Sequence, residues 1–253
     1  MNRDVDWHSR FSQQAEWTRD LRKYLFATVG LAQSISILEI GCGTGAILAD
    51  IPEGSRYKSH GLDIDANMIA QAASHVPSAL LTIGDAHDLP HPSNSFDITF
   101  CHYLLLWVAS PLQVLQEMKR VTKPGAVVMV MAEPDYNSRI DEPESLIELG
   151  KLQTASLLEQ GADVGLGARL DSLFKEAEIE VIESGQLENM NKNKTPIELS
   201  REGDDLEWQV LASDVKATLT QDQLNQYRKN HFEAIEKETR ILHVPTNFAW
   251  GLV

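Results

Sequence analysis

The stretch ILEIGCGTGAIL, residues 37–48, places three glycines within five positions directly after an apolar run. Glycines at this density weaken a strand or a helix, so we expect them where something approaches the bare backbone closely. The preceding residues 35–40 are predicted to form a buried strand, and TGAILADI, residues 44–51, is predicted to form a helix. A strand, a glycine turn and a helix are typical of a dinucleotide-type site, in which the helix N-terminus offers N–H groups to an anion.

Strand and helix patterns alternate five times between this first strand and residue 134. The further strands are predicted at residues 57–64, at 79–85, from 96 in FDITFCHYLLLWV (96–108), and in AVVMVMAEP (126–134). Helices are predicted at 66–76 and from Pro111 to the KPG at 123–125, with Ser110 as the N-cap of the second. Continuous apolar strands separated by amphipathic helices predict an α/β fold with a doubly wound, mostly parallel sheet.

The remaining segments are predicted to complete a seven-stranded sheet and to cover its rim. Two late strands are predicted at 179–190 and 242–253. The helical patterns between them are interpreted as an excursion over the sheet rim and not as a crossover, which favours an antiparallel C-terminal strand pair at the sheet edge. We expect one domain over residues 1–253, composed of the following parts: an N-terminal cap helix (9–30), a cofactor-binding core (35–133) and helical lid insertions (142–160 and 191–240).

The composition limits the partners that we expect. With 22 basic and 37 acidic residues, the chain carries a formal charge of −15 and repels phosphate backbones, which predicts no nucleic-acid partner. Its longest apolar runs are too short to cross a bilayer, and its first residues lack the pattern of a signal peptide. Cys42 and Cys101 form no spaced framework; they are interpreted as reduced residues of a soluble cytoplasmic protein, with a redox pair as the alternative. We predict a small-molecule partner, no metal site, and a monomer or homodimer.

The acids near the glycine turn bear on the identity of the ligand. Asp63 ends the second predicted strand 22 positions after Gly41, which suits a carboxylate that accepts both hydroxyls of a ribose. Glu39, two residues before Gly41, would repel a pyrophosphate but suits a cationic group, and Asp85 could meet an adenine amino group. The turn also satisfies the nicotinamide pattern G-x-G-x-x-A, so a nicotinamide-dependent oxidoreductase stays open as an alternative.

Four segments, in this order, resemble motifs of the Rossmann-like (class I) S-adenosylmethionine-dependent methyltransferases: LEIGCGTG (38–45), GLDIDANMI (61–69), GDAHDLPHPSNSFDITFCHYLLLWV (84–108) and VTKPGAVVMV (121–130). The resemblance spans residues 35–133 and the terminal strand pair. It implies S-adenosylmethionine as cofactor and methyl transfer to an O, N or C nucleophile of a small molecule by in-line displacement. A protein or RNA methyltransferase, which would usually carry a basic groove, and a cofactor-binding protein without transferase activity are the alternatives.

The resemblance implies a role for each residue at the amino-acid end of the cofactor. Gly41, Cys42, Gly43 and Gly45 would lie against its methionyl part. Glu39 would hold its amino group.

The nucleoside end of the cofactor is assigned in the same way. Asp63 would accept the ribose hydroxyls, and Ile64 and Met68 would enclose the adenine. Asp85 and the N–H of Ala86 would bind the adenine edge.

Candidate catalytic residues follow strands four and five, where the crevice of such a sheet lies. Backbone near Cys101 and His102 would contact the amino-acid end of the cofactor, and the His102 imidazole could act as a general base. Tyr136 is the second catalytic candidate. Glu133 and Asp135 could bind a cationic acceptor or cap a turn.

Overall fold

A computed structural model describes residues 6–30, 36–51, 58–187 and 201–253, with only the backbone described at 201–204. The strands are β1 (Ser36–Ile40), β2 (Lys58–Asp63), β3 (Leu80–Ile83), β4 (Phe96–Cys101), β5 (Thr122–Pro134), β6 (Ile140–Glu142), β7 (Glu180–Gln186), β8 (Ile241–His243) and β9 (Thr246–Leu252). The α-helices are α1 (Trp7–Trp17), α2 (Arg19–Thr28), α3 (Ala66–His75), α4 (Pro111–Val121), α5 (Ile147–Glu159), α6 (Leu170–Glu176), α7 (Arg201–Val215) and α8 (Gln221–Glu236).

Seven strands form one sheet in the order β3-β2-β1-β4-β5-β9-β7. The five strands from β3 to β5 run parallel, and β9 pairs antiparallel with both β5 and β7. The predicted doubly wound sheet with an antiparallel C-terminal pair is therefore confirmed. The strand order reverses between β1 and β4, and this is the point at which α/β sheets bind ligands at their carboxyl edge.

Apolar clusters bury both faces of the sheet. Leu38 and Ile40 of β1 face a cluster that includes residues of α4 and α6, whereas Ile37 faces one that includes residues of α2 and α3. Because side chains alternate along a strand, a continuous apolar strand supplies both clusters at once. A smaller cluster joins α5, α7 and α8 around Trp208 and Val215.

The glycine turn is not followed by an α-helix, so the helix predicted at 44–51 is wrong. Gly43 and Gly45 adopt φ of +52° and +83°, and only one 3₁₀ turn, Leu48–Asp50, forms afterwards. Two successive departures into left-handed backbone prevent a right-handed helix from starting at Thr44.

Other predicted boundaries also change. The cap helix at 9–30 is two helices that meet at Thr18, and the lid segment at 142–160 begins with the end of β6 before α5 starts. The strand at 242–253 is divided near Pro245, which lacks a backbone N–H. Its first part, β8, pairs with β6 in a two-stranded sheet that was not predicted.

Part of the predicted lid is outside the described residues. Residues 188–190 of the sixth predicted strand and 191–200 of the insertion are not described. The two helices that follow, α7 and α8, agree with the predicted helical character of this insertion, and a capping box between Thr220 and Gln223 begins α8. Within the described ranges, no helix combines the length and the apolar character needed to cross a bilayer.

Candidate cofactor site

The glycine turn is tied to the neighbouring strand by its own N–H groups. The N–H groups of Gly41 and Cys42 both donate to the carbonyl of Leu62 in β2, at 2.7 and 2.9 Å. Gly43 donates its N–H to Oδ2 of Asp63 at 2.8 Å. Since these three donors are used within the protein and no α-helix follows, the predicted anion site at a helix N-terminus is wrong.

The carboxylate of Asp63 holds the turn from the end of β2. Besides the bond from Gly43, its Oδ1 accepts the N–H of Asp65 at 2.9 Å. A carboxylate oxygen has two acceptor positions, so each oxygen keeps one for a ligand. Asp63 can therefore shape the turn and accept ribose hydroxyls at the same time.

The missing side chains of Gly41 and Gly43 let side chains of other elements pack directly against the turn. A Cβ at Gly41 would lie 2.7 Å from Cδ1 of Leu104, and one at Gly43 would lie 3.0 Å from the ring of Phe11. Leu104 follows β4 and Phe11 belongs to α1, so both elements converge on the turn. Together they form a cradle over the backbone to which the family resemblance assigns the methionyl part of the cofactor.

Glu39 is buried below this cradle. Its side chain is 2% exposed, and its Oε2 has no hydrogen-bond partner among the described residues. Burial raises the pKa of Glu39 well above its usual range, although the nearby Arg22 guanidinium lowers it. A buried acceptor without a donor is costly, and a bound ammonium group would satisfy it.

Arg22 is a buried cation in this region that sequence analysis did not identify. Its guanidinium, carried by α2, forms an ion pair with Asp50 and donates to Oγ1 of Thr18 at 2.5 Å. In the sequence it belongs to the charged run RDLRKY, which is typical of a solvated helix face. Its burial depends on the packing of α2 against the sheet, which local periodicity does not show.

Exposed apolar side chains mark the predicted adenine position. Ile64 and Ile83, at the carboxyl ends of β2 and β3, are 70% and 57% exposed, while Met68 of α3 is buried. Large exposed apolar groups at neighbouring strand ends indicate a surface that a flat ligand could cover. Sequence analysis named Ile64 and Met68 but missed Ile83.

Asp85 is fixed beside this surface by a histidine. Its Oδ1 accepts from the N–H of His87 at 2.9 Å and from Nδ1 of the same residue at 2.7 Å, and these bonds lower the pKa of Asp85. Nε2 of His87 accepts the N–H of Ser110 at 3.1 Å, so the ring carries its proton on Nδ1. The neighbouring Ala86 is buried. His87 was not predicted, because its role depends on the start of α4.

His102 lies at the end of β4, as predicted, but its environment does not suit a titrating base. Its Nε2 lies 2.9 Å from Oγ1 of Thr18, and burial lowers its pKa to about 3, with a smaller contribution from Arg22. The imidazole is therefore neutral at physiological pH and is a weak proton acceptor. Its position fits a group that orients a neighbour through hydrogen bonds.

Glu133 stabilises the loop that carries Leu104. Its carboxylate accepts the N–H groups of Leu104, Leu105 and Leu106 at 2.9, 2.7 and 3.2 Å. Burial raises the pKa of Glu133 to about 8, against the opposing effect of these three bonds. Of the two roles predicted for Glu133, the structure shows the structural one.

Asp135 likewise caps a turn. Its side chain accepts the N–H of Asn137 at 3.1 Å and the hydroxyl of Ser138 at 2.7 Å. Tyr136 follows it, half-buried, and burial raises the pKa of its phenol. Tyr136 thus stays a protonated side chain at the carboxyl end of β5.

The two cysteines are free and buried. Burial raises the pKa of both thiols, those of Cys42 and Cys101, which disfavours the reactive thiolate. They behave as small apolar residues. Among the described residues, no group of three or more His, Cys, Asp or Glu side chains could hold a metal ion.

Helix α1 is attached to the glycine turn by stacked histidines. The rings of His8 and His75 are parallel within 10° at a centroid distance of 3.5 Å. Nδ1 of His8 lies 2.8 Å from Oγ1 of Thr44, and Nδ1 of His75 lies 3.2 Å from the Thr44 carbonyl oxygen. These contacts fix α1 over the carboxyl edge of the sheet.

The part of the chain that carries these residues is similar to known methyltransferases. Residues 38–130 match a family model described as a methyltransferase domain. The demethylmenaquinone methyltransferase of Staphylococcus epidermidis is 32% identical over 126 residues, which cover 48% of this chain and 51% of that protein. The chain thus spans about half the length of this curated relative.

Two solved structures resemble almost the whole chain. A candidate methyltransferase from an antibiotic biosynthesis pathway of Anabaena variabilis superimposes with a TM-score of 0.65 and 15% identity, over 92% of this chain and 97% of that one. The [4+2]-cyclase SpnF gives a TM-score of 0.58 and 16% identity, over 92% and 80% of the two chains. At such identities the likeness establishes a common fold.

Proposed function

We propose that this chain, whose core belongs to the class I S-adenosylmethionine-dependent methyltransferase family, transfers a methyl group to a small-molecule acceptor. S-adenosylmethionine is the cofactor of that family. The acceptor and the residues that bind the cofactor are our proposals.

The observation that carries this proposal is the unpartnered Oε2 of Glu39 beneath the glycine turn. The amino group of the methionyl part is a cation, and it would supply the donor that Glu39 lacks. A pyrophosphate would instead meet a carboxylate, and the N–H groups of Gly41, Cys42 and Gly43 are already used. The geometry therefore supports S-adenosylmethionine over a nicotinamide dinucleotide.

The rest of the cofactor fits the residues around it. Asp63 would accept the ribose hydroxyls, and Asp85 with the N–H of Ala86 would bind the adenine edge. The exposed faces of Ile64 and Ile83 would be covered by the ring. These contacts leave the amino-acid end of the cofactor near His102.

When bound, the cofactor supplies a methyl group on a sulfonium, which is already activated for in-line displacement. The chain then has to position an acceptor and exclude water, which supplies most of the rate enhancement in such reactions. We assign His102 to orienting the acceptor by a hydrogen bond. Tyr136, at the end of β5, would border the acceptor.

A small acceptor is supported by the surface and by the insertions. The negative net charge disfavours nucleic acid, and the relative described as a demethylmenaquinone methyltransferase acts, by its name, on a small molecule. Glu207 and Asp214 of α7 act electrostatically on Arg10 of α1, which supports a role of α7 as part of a lid. We propose that residues 1–253 act as one unit, as a monomer or homodimer.

Calorimetry separates the proposed cofactor from its competitor. We expect S-adenosylmethionine and S-adenosylhomocysteine to bind and NAD to give no heat. Glu39→Gln should bind both adenosyl ligands more weakly, since a neutral amide replaces the partner of the ammonium. Binding of NAD with no heat from either adenosyl ligand would contradict the proposal.

A further inference from the structure

Arg10 is a cation near the candidate site with no carboxylate in direct contact among the described residues. The side chain of this α1 residue is half-buried, its Nη1 donates to Oε1 of Gln13 at 2.7 Å, and its guanidinium lies 4.7 Å from the ring centre of Trp17. Among the described residues Arg10 forms no ion pair. Burial lowers the pKa of its guanidinium. A partly buried cation without a direct carboxylate partner would be stabilised by an anionic group that pairs with it.

Other buried arginines of the chain do have carboxylate partners. Nε of Arg139 lies 2.6 Å from Oδ2 of Asp141, and Nη2 of Arg240 lies 3.0 Å from Oδ1 of the same residue. These two arginines are thus paired, whereas Arg10 forms no ion pair within the part of the chain that the structure describes.

Arg10 lies near the place where the methyl acceptor would bind. It precedes Phe11, whose ring lies against Gly43, and its charge acts on the phenols of Tyr103 and Tyr136. These tyrosines follow β4 and β5, and the ring of Tyr103 contacts that of His102 at 4.7 Å between centroids. Arg10 is therefore within electrostatic range of the residues that follow the two strand ends beside which the methyl group would be delivered.

Two carboxylates of α7 limit the charge that this site can accept. Glu207 and Asp214 lie within electrostatic range of Arg10 but neither forms an ion pair with it. Asp214 accepts a hydrogen bond from Nε2 of Gln153 at 2.8 Å, and burial raises its pKa. One cation beside two acids suits a monoanion better than a phosphate dianion.

We infer that Arg10 binds a carboxylate group of the acceptor and thereby selects acidic small molecules as substrates. A planar guanidinium matches a carboxylate with two parallel hydrogen bonds, which a neutral amide does not reproduce. The inference rests on the proposed function and specifies its substrate class.

The test uses matched acid and amide probes on the full chain saturated with S-adenosylhomocysteine. Benzoate and benzamide, phenylacetate and phenylacetamide, and indole-3-acetate and indole-3-acetamide are titrated by calorimetry. At least one acid should bind about tenfold or more tightly than its amide, as expected for a charge-assisted pair. Arg10→Met should bring that ratio close to one, and Arg10→Lys should reduce it only in part, because an ammonium cannot form both bonds.

Two measurements keep the outcome interpretable. S-adenosylhomocysteine affinity, measured on each sample, should change little; its absence in the wild type would contradict the proposed function itself. Arg19→Met removes an exposed arginine of α2 and should leave the acid preference intact. If Arg10→Met does not fold, the reduced ratio of acid affinity to amide affinity in Arg10→Lys provides the test. The inference would be overturned if the acids bind the wild type no more tightly than their amides, or do not bind it at all. It would also be overturned if the preference for acids persists without Arg10.

Discussion

Oδ2 of Asp63 accepts a hydrogen bond from the N–H of Gly43 at 2.8 Å, so the carboxylate that ends β2 also fixes the turn that ends β1. The residue proposed for the ribose is therefore part of the framework of the glycine turn. Loss of Asp63 should weaken cofactor binding in two ways, because the acceptor for the ribose hydroxyls is missing and because the glycine turn is no longer fixed.

Asp63→Asn should weaken binding of S-adenosylhomocysteine by roughly 1–3 kcal/mol, because one oxygen is replaced by an N–H₂ donor that faces other donors. Asp65→Ala is the matched control. It removes the N-cap of α3, which accepts the N–H of Asn67 at 2.8 Å, and should cost about 1 kcal/mol of stability while cofactor affinity is retained. Equal cofactor affinity in Asp63→Asn and the wild type would remove Asp63 from the ribose site.

Cofactor binding should release a proton from Glu39. The raised pKa of this buried carboxyl favours its protonated form in the free protein, and a bound ammonium group favours the carboxylate. Calorimetry in buffers of different ionisation enthalpy measures the release, and affinity should rise with pH until Glu39 is ionised in the free protein. Glu39→Gln should bind without this buffer dependence. Buffer-independent heats in the wild type would contradict the assignment.

Gly43→Ala tests the cradle over the turn. The new methyl group would lie 3.0 Å from the Phe11 ring at a φ of +52°, so both stability and cofactor affinity should fall. Gly125→Ala shares a left-handed φ of +75° but has open space around its Cβ. Each substitution should cost about 1–2 kcal/mol of stability from the backbone alone. Only Gly43→Ala should bind S-adenosylhomocysteine more weakly; equal binding by both variants would count against the cradle.

His102 should make the protein less stable in acid. Its pKa of about 3 in the folded protein lies below the ordinary value near 6.5, so the unfolded chain takes up a proton first as the pH falls. The contribution of the neutral imidazole to the free energy of unfolding is complete above pH 6.5 and should decrease by about 2 kcal/mol at pH 5. Urea unfolding of the wild type and His102→Gln at pH 7.5 and 5 measures the difference. If the two proteins lose equal stability between these pH values, the imidazole is not held neutral.

Local patterns predicted those parts of the fold that depend on neighbouring residues. The strands are continuous apolar runs, and the start of α4 follows from Ser110, whose hydroxyl accepts the N–H of Gln113 at 3.4 Å. The helix predicted after the glycine turn was wrong because the left-handed glycines of the turn are set by bonds to Leu62 and Asp63, which are distant in the chain.

The same reason explains which site residues were missed. The glycines and the acids at strand ends occur at recognisable spacings, so they could be named in advance. Arg22 and His87 acquire their roles from Asp50 and Ser110, which only the folded chain brings near. A charged residue in an amphipathic helix is usually solvated, so nothing local distinguishes Arg22 from its exposed neighbour Arg19.

Methyl transfer itself is tested most directly by isotope tracing. The wild-type protein is incubated with a small-molecule metabolite extract and S-adenosylmethionine that carries a deuterated methyl group, and the products are analysed by mass spectrometry. We predict a small molecule that gains the labelled methyl group in proportion to S-adenosylhomocysteine, and whose formation falls strongly in Asp63→Asn but not in Asp65→Ala. A wild-type protein that binds S-adenosylmethionine by calorimetry yet labels no small molecule in such extracts would contradict the account.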